Sequence, residues 1–203
     1  MPDISERDDD LLFSGIAKIY RPAPCGMMTV RANLASLNLM AAMRDMFDLA
    51  IPKPRCIVFR ERSTLCWMSP DELLILCRRE EVATRMNQLD GFLITESSLV
   101  IDVSDARIIY DVEGHGAREV LAKLCPVDLA LGSFHIGDFR RTRLAQVPVA
   151  FWLKDADTFS LMVFRSVAGY VLEVLKMAAR DGSNVGLASH GNASRHPVDE
   201  HGM

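Results

Sequence analysis

The chain has 203 residues, of which 49% are apolar and 25% charged, with a formal net charge of −4. This is enough for one large domain or two small, closely packed ones, with a core that needs neither metal nor disulfide. The charge balance leaves no electrostatic footprint for nucleic acid or an anionic membrane surface. Five cysteines, Cys25, Cys56, Cys66, Cys77 and Cys125, form no CxxC pair, and the odd count argues for reduced, buried thiols over a closed disulfide framework.

The acidic start "MPDISERDDD" lacks a basic n-region and an apolar h-region, so neither a secretory signal nor a transit peptide is expected. Residues 1–10 read as a flexible segment. The body begins near residue 11. "MMTVRA" is a strand by its β-branched residues, and "LASLNLMAAMRDMF" is a helix with Leu34, Leu37, Met40, Met43 and Phe47 on one face. After the breaker "IPKP", the runs "RCIVFRER" and "TLCWM" read as short strands or one interrupted strand. "DELLILC" is another strand, and "REEVATRMNQL" is helical through Val82, Met86 and Leu89.

The same order then recurs. "SLVIDVS" and "ARIIYDV" are strands, "GHGAREVLAKL" opens a helix, and "TRLAQVPVAFWL" and "TFSLMVFR" are strands about the turn "KDADT". "SVAGYVLEVLKMAAR" closes as a helix that Ser166 is placed to cap. No stretch reaches the roughly 18 uninterrupted apolar residues of a membrane span. Residues 181–203, rich in Gly, Ser, Asn and His without periodicity, read as a flexible tail.

Laid side by side, the two halves match at a separation of about 80 to 86 residues, with Trp67 against Trp152 and Arg79 against Arg165. Element order and the Trp–turn–strand–Arg sequence repeat together, which points to duplication. The expected architecture is α+β: two pseudo-repeated halves, about 11–92 and 93–180, of mainly antiparallel sheet with helices on the outer faces, fused into one body over 11–180.

Chemical motifs are sparse. "EGHGAREV" has Gly114 and Gly116 but Glu119 where a dinucleotide loop needs its third glycine, and no GxxxxGK[ST] occurs. His115 and Glu119 share a helix face without a third ligand at metal spacing. "LGSFHIG" is not a nucleophile elbow, and no family signature surrounds Cys125, which is expected to be an inert thiol. Charged residues inside apolar runs remain: Asp102, Asp105 and Arg107 in "IDVSDAR", Asp128 in "CPVDL" and Arg165 in "VFRSV". A lone buried charge is costly, so these are expected to form structural ion pairs, with Arg79 and Arg165 also placed to face a partner's carboxylates. No catalytic, cofactor-binding or metal residue is expected in the chain.

The residues "DVSDAR", Asp128–Leu129 of "CPVDL", "RTRLA" at 141–145 and "RSVAGY" from Arg165 lie in an order that resembles the gamma subunits of the heterotetrameric sarcosine oxidases over roughly residues 29–180. The resemblance implies a fold like the folate-binding domain of glycine-cleavage aminomethyltransferases. It also implies cytoplasmic partner subunits, alpha, beta and delta, that hold FAD, FMN, NAD and tetrahydrofolate while this chain holds none. Their assembly would demethylate sarcosine oxidatively to glycine and pass the one-carbon unit to tetrahydrofolate. Two other readings stay open: a free-standing folate-binding one-carbon protein, with Asp102 or Asp105 pairing a pterin edge, and the equivalent small subunit of an N-methylglutamate dehydrogenase complex.

Overall fold

The structure, a computed structural model, describes residues 10–60 and 63–186. The strands are β1 (Asp10–Ser14), β2 (Lys18–Arg21), β3 (Gly26–Arg31), β4 (Ile57–Arg60), β5 (Ser63–Ser69), β6 (Glu72–Cys77), β7 (Leu99–Asp102), β8 (Arg107–Glu113), β9 (Phe139–Leu144), β10 (Val147–Leu153) and β11 (Thr158–Phe164). The helices are α1 (Leu37–Phe47), α2 (Val82–Phe92), α3 (Ala117–Leu124) and α4 (Ala168–Ala178). Two antiparallel sheets result, in the orders β1-β2-β8-β11-β10-β9 and β4-β5-β6-β3-β7.

Apolar clusters set the layers. Helices α3 and α4 bury Val120, Leu121, Val171 and Leu175 against the outer face of the six-stranded sheet, around the tilted and edge-on rings of Phe134, Phe151 and Phe159. Helices α1 and α2 bury Leu39, Met43, Val82 and Leu89 against the outer face of the five-stranded sheet. A third cluster joins the two inner faces: Met27, Ile57, Cys66, Met68, Leu74 and Leu76 from one, Phe139, Ala150, Trp152 and Met162 from the other. Alternation along each strand feeds both faces at once, which is why β6 and β11 read as nearly continuous apolar runs. The expected α+β architecture with outer helices is the observed one.

The halves are alike in detail. The unit β3-α1-β4-β5-β6-α2 and the unit β8-α3-β9-β10-β11-α4 place their strands in the same lateral order. Cys66 pairs with Leu74 as Trp152 pairs with Ser160, and Leu74 pairs with Thr29 as Ser160 pairs with Asp111. This register corrects the sequence alignment by one residue. Cys66, not Trp67, answers Trp152; Trp67 pairs with Leu73 on the outer face and answers Leu153. Arg79 and Arg165 do correspond, each opening the 3₁₀ turn that follows the last strand of its unit.

Sheet membership crosses the boundary expected at residues 92 and 93, because the hairpin β1-β2 joins the sheet of the second unit and β7 joins that of the first. Asp10 already belongs to β1, and residues 181–186 are held to the body: Lys123 Nζ donates to the Ser183 carbonyl at 2.6 Å and the Val185 amide donates to Glu119. The rest of the expected flexible ends lies outside the described residues. "TRLAQVPVAFWL" is two strands, and "RCIVFRER" and "TLCWM" are the paired strands β4 and β5. Ser166 does not cap α4; it lies inside the preceding 3₁₀ turn. The serine that does cap is Ser36, whose Oγ accepts from the Asn38 and Leu39 amides at 3.1 and 3.2 Å.

Candidate functional site

The crossing from the first unit to the second runs through "DVSDAR", where Asp102, Ser104 and Asp105 are engaged in holding it. Asp102 Oδ1 accepts from the Ser104 amide and hydroxyl, and Ser104 Oγ accepts from the Met27 amide at 2.9 Å, which ties the crossing to β3. Asp105 then receives both of the corresponding arginines. Arg79 Nη2 reaches its two carboxylate oxygens at 2.7 Å each, Arg165 Nη2 stands 3.5 Å away, and Arg165 Nε donates to the Asp105 carbonyl. The hydrogen bond from Arg79, and then its charge, hold the Asp105 carboxyl below the ordinary carboxylate range. Asp102 is thus engaged through one carboxylate oxygen and Asp105 through both.

Two clefts open between the inner faces of the sheets, at corresponding places in the two units. One is lined by Phe59, Thr64, Asp111, Trp152, Lys154 and Ser160. Here the charge is matched: Asp111, 3% exposed, accepts from Ser160 Oγ at 2.7 Å and from Lys154 Nζ at 2.8 Å. The other cleft is lined by Met68, Arg107, Arg141, Pro148 and Phe164 among others. Arg141 occupies the position that Phe59 holds in the first cleft, and Arg107 that of Cys25. Arg141 Nη1 donates to the Met68 carbonyl at 2.6 Å, whereas Arg107 Nη1 is buried with no hydrogen-bond partner among the described residues. The Arg107 guanidinium lies 5.7 Å from the ring of Phe164, and burial holds its pKa below the usual value.

Of the residues singled out in the sequence, Asp102, Asp105 and Arg165 meet at the crossing, and Arg107 stands next to them without an ion pair within the described residues. Asp128 is apart from all four. It lies in the loop after α3, where Ser133 and the Ala130 amide donate to it and hold its pKa down. That loop is fixed by Arg118, which donates to the Leu129 and Phe134 carbonyls at 2.9 and 3.1 Å. Sequence reading passed over Asp111 and Lys154 as site residues and took Arg141 only as the start of "RTRLA". The signal for Asp111 was present as a carboxylate within the apolar strand "RIIYDV".

The remaining candidates are accounted for locally. Gly116 is needed because a Cβ there would stand 2.3 Å from the Ile16 carbonyl oxygen, so the glycine serves the packing of the β1-β2 turn and not an anion. His115 is almost wholly exposed, while Glu119 is buried beneath the Val185 amide, and no group of three or more metal-ligating side chains occurs among the described residues. Burial pushes the Cys125 thiol up to about 12, far from the thiolate a nucleophile needs. Among the described residues no helix is long and apolar enough to cross a membrane.

Comparison with known proteins bears on this arrangement. A model of the sarcosine oxidase gamma subunit family matches residues 31–181, which takes in the first unit from the end of β3, the crossing and the whole second unit. The chain belongs to the sarcosine oxidase gamma subunit family. Within that family, the sarcosine oxidase subunit gamma of Corynebacterium sp. (strain U-96) is 36% identical over 100 residues, 49% of this chain and 48% of that protein. That of Corynebacterium sp. (strain P-1) is 34% identical over 124 residues, 60% of each chain. That of Arthrobacter sp. is 34% identical over 92 residues, 45% of this chain and 44% of that protein. The matched stretches thus span about half the length of these relatives.

The fold extends further than the sequence match. A chain of the heterotetrameric sarcosine oxidase from Corynebacterium sp. U-96, solved in complex with pyrrole 2-carboxylate, superposes with a TM-score of 0.74 over 91% of this chain and 90% of that one, at 22% identity. The glycine cleavage system aminomethyltransferase T from Bartonella henselae superposes with a TM-score of 0.55 over 77% of this chain and 44% of its own, at 17% identity. The fold expected from the resemblance is therefore the one found.

Proposed function

We propose that this chain is the noncatalytic gamma-type subunit of a cytoplasmic, flavin-dependent sarcosine oxidase, assembled with alpha, beta and delta chains. In this reading FAD, FMN, NAD and tetrahydrofolate are held by those partners, which oxidise sarcosine to glycine and pass on the one-carbon unit, while the gamma chain supplies shape. The observation that carries the reading is the family match over residues 31–181. It is supported by chemistry at the crossing, where Asp102 and Asp105 are engaged by Ser104, Arg79 and Arg165.

The test is co-expression of the tagged chain with the large oxidase chains. The expected result is co-purification of all of them as one flavin-containing particle that turns over sarcosine, with no turnover by the isolated gamma chain. Recovery of a free monomer while the other chains assemble and work unchanged would contradict the proposal.

A further inference from the structure

Arg107 begins β8 at the point where the cleft under Phe164 meets a second, smaller one lined by Arg21, Arg79 and Arg165. Among the described residues, the carboxylates whose charge or contacts reach this corner are already engaged. Asp105 is held by Arg79 and Arg165, and Glu72, whose charge reaches Arg107, is bound by Arg31 Nη2 at 3.3 Å. Register places Arg143, Pro148, Phe164 and Arg107 in one row across the inner face of the six-stranded sheet, with Arg141 in the next row. Arg107 thus lines a cationic cleft, and its Nη1 is a buried donor without an acceptor among the described residues, in a chain whose net charge is negative. A buried charged donor left unmatched is unfavourable, and the arrangement persists where something outside the fold supplies the acceptor.

We propose that Arg107, with Arg141 beside it, receives the carboxylate of an Asp or Glu side chain from a neighbouring subunit, an inference that rests on the assembly proposed above. The chemistry follows from the lining. A guanidinium fork matches a carboxylate, and the apolar rim of Met68, Pro148 and the exposed Phe164 is suited to the stem and flanking residues of an inserted loop, which a free small anion lacks. Burial between protein surfaces would make the pair act mainly on dissociation.

The experiment measures binding of wild-type, Arg107→Met and Arg107→Lys chains to the separately purified large oxidase chains, together with the Tm of each isolated chain. The expected result is at least about a 30-fold loss of affinity for Arg107→Met, through faster dissociation and with partial recovery in Arg107→Lys, while the Arg107→Met chain alone melts at or above the wild-type Tm. Wild-type binding that Arg107→Met leaves within threefold would overturn the inference and leave the assembly standing. A fall in Tm for the isolated Arg107→Met chain equal to its loss of binding would mark a purely structural arginine and also overturn it. Stabilisation of the wild-type chain by millimolar acetate, abolished in Arg107→Met, would reassign the site to a free small carboxylate. Failure of the wild-type chain itself to bind would instead sink the assembly reading.

Discussion

The two clefts between the sheets are built from corresponding strands, yet they handle charge in opposite ways. In the first, Asp111 is fully buried and fully answered by Ser160 and Lys154. On the other side, the residue of the first unit that corresponds to Asp111 is Thr29, whose Oγ1 is buried without a partner among the described residues, and Arg107 of the second cleft is likewise unanswered among them. One cleft of a duplicated fold thus answers its charge internally, while the other retains groups that need an external partner. The difference teaches where the fold is complete by itself and where a neighbour completes it.

Breaking the matched cleft should have the largest effect. Lys154→Met leaves the Asp111 carboxylate with only a hydroxyl donor, and unfolding in urea is expected to show a loss of about 2 kcal/mol. This is below the roughly 3–5 kcal/mol of a fully buried pair because the Lys154 side chain is half-exposed. The double variant Asp111→Leu/Lys154→Met should recover most of that loss. If the single and double variants are equally destabilised, the matched cleft is not an ion pair in the sense argued here.

A smaller effect of opposite sign is expected on the unmatched side. Thr29→Val replaces an unanswered buried hydroxyl by a methyl of the same shape in a strand, and should stabilise the chain by about 1 kcal/mol, read as a Tm rise of roughly 2–4 °C. A loss of stability would show that Thr29 has an acceptor after all.

The smallest effect belongs to the exposed crossing. The folded-state pKa of Asp105 is lowered by Arg79, so between the ordinary value of 3.8 and that lower value the unfolded chain binds more protons than the folded one. The stabilisation is therefore present above the ordinary value and is lost as pH falls through the folded pKa. Asp105→Asn should lower the Tm slightly at neutral pH, with the difference from wild type shrinking as pH falls below 3.8, so that its acid limb is shallower. Identical acid limbs would remove Asp105 from the account.

Much of the fold was legible because apolar periodicity and element order repeat across the two units. What escaped has local physical reasons. The hairpin β1-β2 carries its pattern in strands of five and four residues beside an acidic run, too short for periodicity to register. The turn between β9 and β10 is formed by Ala145 and Gln146, with Ala145 at φ 48, so no glycine or asparagine announces it. The one-residue misplacement of Trp67 came from matching like with like, when a β-strand inverts its facing with each step. At the crossing, the charged residues could be named from sequence, but that Arg79 and Arg165 converge on the one carboxylate of Asp105 follows only from the symmetry of the two units.

Hydrogen exchange of the chain, free and co-purified with the large oxidase chains, tests the central claim most directly. The account predicts that assembly slows exchange at the mouth of the unmatched cleft, in residues 103–107 and 143–148, and leaves the amides around Asp111 and Lys154 unchanged. Protection confined to the outer helices, or none anywhere, would contradict it.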